Sequence, residues 1–171
     1  MSILPENADA AVRMALVDLD TEIATSRRIL ELVPEEHLTW RPHEKSMTLG
    51  GLAQHIANLL YWAAGIASLP DYDVAGMTRL PQPQSRAEIL ELFERQLEGL
   101  KAAVAELDEA KLNEMWTLRY GEQVIFSMPR VAALRVSGIN HFVHHRGQLT
   151  VYFRLLGAKV PGLYGPSADE Q

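Results

Sequence analysis

Apolar side chains recur along the chain at the three- and four-residue steps of amphipathic helices. Leu16, Leu19, Ile23, Leu30 and Val33 form one stripe and predict a helix over residues 6–33, with Pro5 suited to its start and Pro34 to its end. Leu49, Leu52, Ile56, Leu59, Ala63 and Ile66 form a second, which Ser46 or Thr48 can cap and Pro70 closes. Ser85-Arg86-Ala87-Glu88 reads as a capping box ahead of a third stripe, Ile89, Leu92, Phe93, Gln96, Leu97, Leu100, Val104 and Leu107. Pro129 suits the first turn of a fourth helix and Gly157 its stop, which makes residues 129–156 the longest helix, roughly 40 Å.

Between these stripes lie segments that resist regular helix. Residues 34–45 hold Pro42 and Trp40, whose ring is expected to pack over one end of the helices. Residues 70–84, with Pro70, Pro81, Pro83 and Gly76, read as a long crossing loop that permits neighbouring helices to run parallel. In the connector 108–127 the alternation around Gly121 fits a short hairpin and an irregular loop equally well, and the tail from Pro161 is expected to be extended. Four long helices with two longer connectors predict an all-α fold, a four-helix bundle with long crossing loops, as one domain over residues 1–171. An irregular helical array would share the same periodicity.

Composition narrows the chemistry. Apolar residues make 47% and charged residues 22% of the chain, the balance of an ordinary globular domain. The absence of cysteine excludes disulfides, iron–sulfur clusters and thiolate zinc sites, so any metal must be held by nitrogen and oxygen. Sixteen Lys and Arg against 22 Asp and Glu give a net charge of −6, and no basic run follows a phosphate backbone, which argues against nucleic acid. The opening Met1-Ser2-Ile3-Leu4-Pro5-Glu6-Asn7 lacks the basic start and apolar run of a signal peptide, pointing to the cytoplasm. Leu49 to Leu69 is uncharged and long enough to span a bilayer, but Gln54, His55 and Asn58 interrupt it, so a buried helix and no membrane are expected.

The chain has six histidines. His141 and His145 lie one helical turn apart on the face that carries Leu134, Leu149 and Tyr152, so both imidazoles can reach one ion. His55 sits at the edge of the second stripe, where a single histidine is more often a hydrogen-bonded core residue. Together, two helices offering three inward imidazoles match the three-ligand pattern of catalytic metal sites, whose remaining position takes water or substrate. His144 points about 100° away from His145 and is read as a support or a helix contact. His37 and His43 fall in the loop after the first helix, with His43 either near a pocket mouth or in solvent. Beside the pair, Gly147 is expected to allow a close helix approach, Gln148 to hold a ligand imidazole in one tautomer, and Arg146 to pair with a carboxylate across the helices.

Leu52-Ala53-Gln54-His55-Ile56-Ala57 on the second helix and Asn140-His141-Phe142-Val143-His144-His145-Arg146-Gly147-Gln148-Leu149 on the fourth resemble the DinB-like (YfiT-like) metal-binding four-helix bundles. Gly157-Ala158-Lys159-Val160-Pro161 and the four-segment layout extend the likeness over nearly the whole chain. The resemblance implies an up-down-down-up bundle, frequently a homodimer, and a divalent ion held by His55, His141 and His145. It implies no DNA chemistry. Relatives in that family include thiol transferases that use bacillithiol or mycothiol and a mycothiol-dependent isomerase.

Two classes of function follow. One is a metal-dependent enzyme on a small molecule, through thiol transfer with a low-molecular-weight thiol or through hydrolysis, since a divalent ion on neutral imidazoles lowers the pKa of bound thiol or water. The other is a metal-stabilised binding or stress-response module without turnover. Imidazole ligands suit zinc, nickel, copper and iron alike, and Glu44, Glu122 and Tyr152 are candidate proton carriers. Free imidazole titrates near 6.5, so metal affinity and the stability it confers are expected to fall as pH drops through and below that value. Trp62, Phe153 and Leu156 exceed what one narrow stripe per helix can bury, which joins the resemblance in pointing to a homodimer.

Overall fold

The computed structural model describes residues 2–170. It is mostly helical, with α1 (Ala10–Ala15), α2 (Leu19–Leu30), α3 (Leu49–Ser68), α4 (Arg86–Ala105), α5 (Glu109–Asn113), α6 (Arg130–Ala133) and α7 (His141–Leu155). Helices α3 and α4 pack along each other most extensively, and α2 and α7 close the core against them. Ile29, Ile56, Phe93, Leu149 and Phe153, drawn from all four, are fully buried at its centre.

The capping signals act as read. Thr48 accepts from the Gly51 N–H at 3.0 Å and starts α3. Ser85 accepts from the Glu88 N–H at 3.1 Å, while the Glu88 carboxylate reaches back to the N–H of Gln84 at 2.8 Å, one residue earlier than in the usual box. The predicted helix over 6–33 is instead two, α1 and α2, interrupted at Leu16–Asp18. Asp9 caps α1, and Asp18 turns away from α2 to accept from Arg135 at 2.6 Å. Leu16 and Leu19 stay buried across the break, so the stripe continues through it and conceals it.

The expectation of an all-α fold is corrected by a small three-stranded sheet in the order β1-β2-β3. Strand β2 (Met115–Tyr120) pairs antiparallel with β3 (Gln123–Pro129) around a turn in which Gly121 takes φ +57°, the left-handed conformation that favours glycine. Strand β1 (Asp71–Asp73), inside the crossing loop, pairs parallel with β2. Three residues are too short to show alternation. Arg119 ties the edge by pairing with Asp73 at 2.5 Å and Asp71 at 3.4 Å. Trp116 of β2 is fully buried edge-on to Trp62 of α3, with ring centroids 6.2 Å apart, which locks the sheet onto the helices.

The fourth predicted helix is helical from Arg130 to Leu155, but Leu134–Asn140 is a π-helix leading directly into His141. Widened turns of this kind are rare and concentrate at functional sites. Gly157, at φ +69°, ends the segment as expected. Phe153 is fully buried, and Trp62 packs on Tyr72 at 4.8 Å, so neither requires a second chain to cover it. Among the described residues no helix is long and apolar enough to cross a membrane.

Candidate metal centre

Helix α3 carries His55 between the buried Leu52 and Leu59, and α7 carries His141 and His145 on successive turns. Packing of α3 on α7 brings the three together. One ring nitrogen from each lies within 4.8 Å of the others, with His55 ring centroids 4.5 Å from His145 and 5.4 Å from His141. No carboxylate joins this group among the described residues.

A hydrogen bond defines which nitrogen of His145 is free. His145 Nδ1 lies 2.7 Å from the Gln148 amide oxygen, which can only accept, so Nδ1 carries the proton. The Nε2 of His141 faces the Nε2 of His145 at 2.9 Å. The unprotonated Nε2 of His145 can accept a hydrogen bond from His141 Nε2–H, or the two nitrogens can share a cation in place of that proton. Burial is the main cause that lowers the pKa of both rings, which disfavours a second proton on either.

His55 completes the argument. Among the described residues its ring makes no hydrogen bond, so the satisfied core histidine that its position alone would favour is not what the structure contains. Burial, then the neighbouring His145 and His141, push its pKa down to about 4. All three rings are neutral at pH 7, the protonation state that metal ligation requires. The donor set fits a borderline divalent ion.

A cavity of about 800 Å³ opens beside the histidines, with His55 and His141 in its wall. Asn58 and Tyr61, one and two turns beyond His55, also line it. Asn58 interrupts the apolar stripe, and its three-residue spacing from His55 puts the two on one face. The roof comes from residues 77–82 of the crossing loop.

The remaining candidates separate cleanly. His144 is exposed, its ring centroid 4.9 Å from that of His145, and stands outside the triad. His43 is exposed and accepts from the Lys45 N–H at 3.1 Å, and neither it nor His37 lines the cavity. Of the three proposed proton carriers only Glu44 reaches the cavity. Glu122 lies in the hairpin turn, and Tyr152 is buried, donating to the Met47 carbonyl at 3.2 Å with its ring edge-on to Trp40. Arg146 pairs with Glu22 of α2 at 2.5 Å, as expected. Gly147 is not at a helix contact within the chain, since a side chain there would meet nothing within 4 Å.

Comparison with known proteins agrees with this geometry. The crystal structure of a DinB-like protein from Bacillus cereus ATCC 10987 superimposes with a TM-score of 0.67 at 25% identity, covering 88% of this chain and 95% of that one. A DinB-like protein, YjoA of Bacillus subtilis, gives 0.68 at 19% identity over 90% and 98% of the two chains, a likeness of fold alone. An uncharacterized protein of Bacillus subtilis strain 168, YrdA, is 56% identical over 32 residues, a match that spans 19% of either chain. The sequence pattern of the DinB family itself matches residues 20–171. With that match over most of its length and the same fold in solved relatives, the chain belongs to the DinB family.

Proposed function

We propose that this protein is a divalent-metal-dependent enzyme acting on a small molecule, of the thiol S-transferase or hydrolase type, with His55, His141 and His145 as the ligands. The observation that carries the reading is a set of three neutral imidazoles, with no fourth protein ligand among the described residues, two of which, His55 and His141, stand in the wall of a large cavity. A purely structural site would be closed by a fourth ligand. Zinc, nickel or iron held there supplies a Lewis acid that acidifies a thiol or water brought to it. Gln148 keeps the His145 ring in the tautomer whose Nε2 is free. Asn58 and Tyr61 stand where a substrate in the cavity would meet them, and Glu44 is the carboxylate placed to move a proton at its edge.

Metal analysis of untagged protein, followed by a thiol-dependence assay, tests the reading. One ion per chain with thiol-dependent turnover supports it; one ion with no turnover on thiols or hydrolysable substrates would favour the non-catalytic module. His141→Ala is expected to lose the ion and His144→Ala to retain it. Gln148→Ala should weaken metal affinity about 10- to 100-fold without unfolding the chain, because it removes only the partner that orients His145. Unchanged affinity would remove Gln148 from the site.

The same reading places the chain in the cytoplasm as a single domain, its long helices wound up-down-down-up, and as a homodimer. The exposed stripe of α7, with Gly147 and the apolar Val151 and Leu155, is where a second copy could approach closely. Val151→Glu is expected to shift light scattering from dimer to monomer. A monomeric wild-type protein at high concentration would count against the assembly.

A further inference from the structure

The lining of the cavity is locally basic in an acidic chain. The chain carries a net charge of −6, yet Arg41, Lys45 and Arg79 all line the cavity and Glu44 is the one acidic residue among its lining residues. Among the described residues none of these three cations has a carboxylate within salt-bridge reach. Arg41 donates to the backbone carbonyl of Glu44 at 3.2 Å, a bond that leaves its charge uncompensated. Three uncompensated cations around one opening repel each other and together attract an anion, the more so with low-dielectric walls that focus the field.

The backbone does not compete for that role. Helix α3 begins at the cavity, but its first N–H groups are already taken. Leu49 N–H donates to the Trp40 carbonyl at 2.8 Å, Gly50 to Leu38 at 2.9 Å and Leu52 to Thr48 at 2.8 Å. Gly51 donates to the Thr48 hydroxyl at 3.0 Å. An anion at this end of α3 is therefore met by side chains, with the positive end of the helix dipole adding to their field. Apolar surface adjoins the cations. Met47, Met77 and Leu80 are exposed in the same lining, where the partly buried Trp62 also stands.

We infer that Arg41, Lys45 and Arg79 form an anion-recognition rim, and that the cavity takes an amphipathic small molecule with a carboxylate, sulfonate or phosphate at the rim and an apolar portion on Trp62 and Met47. The inference deepens the proposed function by naming the class of substrate. The recognition itself needs no ion.

The probe is anilinonaphthalene sulfonate, an apolar aromatic anion that fluoresces when bound, compared with uncharged N-phenyl naphthylamine on the same protein as purified. The sulfonate should bind saturably at one site per chain and weaken at least about tenfold in Arg41→Gln/Arg79→Gln, while the uncharged dye changes less than twofold. Higher ionic strength should weaken the sulfonate alone. Both arginines are exposed, so the variant should keep the wild-type melting temperature, which is measured alongside. Equal binding of both dyes, or a variant that holds the sulfonate unchanged, would overturn the rim. Repeating the titration after chelation separates the two proposals. Persistent binding supports the rim whatever the fate of the metal reading, and loss of binding would mean that the sulfonate had been held by the ion, overturning the rim.

Discussion

Protein saturated with a divalent ion at pH 7.5 is expected to melt about 10 °C above the chelated form, and the gap should hold down to pH 6.5 and narrow only below it. The magnitude follows from mass action, since an ion at a thousand times its Kd stabilises the folded state by about 4 kcal/mol, and a chain of this length shifts about 2–4 °C per kcal/mol. An ion held by His55, His141 and His145 would join α3 to α7, elements far apart in sequence, so its loss would act on the whole core. The pH window follows from the native histidines, because protons displace the ion only where the folded apo-protein binds them. Burial lowers the pKa of His141 and His145 and takes that of His55 down to about 4.

This moves the window expected from free imidazole, near 6.5, to lower pH. The chelated protein should itself lose stability on acidification. Between 6.5 and the lowered values the unfolded chain binds protons that the folded chain refuses, so stability rises with pH, is fully present above 6.5 and is lost below. The upper bound is about 1.4 kcal/mol per histidine per pH unit, reduced by the partial exposure of the rings. Calorimetry of both forms between pH 4 and 7.5 decides the matter. A gap that begins to close above pH 6.5 would mean that the rings titrate as free histidines, and no gap at any pH would leave them as core residues.

Glu22→Gln should cost about 3–5 kcal/mol of stability and lower the melting temperature by about 10 °C or more. Arg146 is completely buried and Glu22 is 7% exposed at the side chain, so removing the carboxylate strands a guanidinium in the core. Arg146 also donates to the Glu22 carbonyl and the Ser26 hydroxyl, each at 3.0 Å, and to the Tyr164 hydroxyl at 2.6 Å. These bonds tie α7 to α2 and to the C-terminal segment, on the residue that immediately follows His145. Replacing both partners with methionine should recover much of the loss, because no unpaired charge remains. Tyr164→Phe should cost about 1–2 kcal/mol, since its hydroxyl also donates to the Glu22 carboxylate at 2.9 Å. Denaturant unfolding of these three variants measures the losses. A single Glu22→Gln loss under about 1 kcal/mol would show that water reaches this pair.

Local signals carried much of the helical layout into the sequence. Thr48 and Ser85 mark the starts of α3 and α4 because a cap is chemistry between residues two or three apart. His141, His145 and Gln148 were legible for the same reason, since three- and four-residue spacing on a helix fixes which side chains meet. The break at Leu16–Asp18 was not legible, because buried residues continue in step on both sides while Asp18 turns to Arg135, a partner far along the chain. Strand β1 likewise exists only because β2 pairs with it, and the π-helix before His141 has no signature in hydrophobic spacing.

At the site, the sequence by itself determined which donors are on offer, imidazoles without a thiol, and the pairing of two of them on one helical turn. Tertiary structure decided the rest. Packing of α3 on α7 brought His55 to the pair, and the opposed Nε2 atoms at 2.9 Å set where a cation fits. The crossing loop, folding back over α3, drew Arg79 toward the same cavity as Arg41 and Lys45. The physical reason is range: helix geometry repeats every few residues and is written locally, whereas a cavity and its charge are made by segments that meet only when the core has packed.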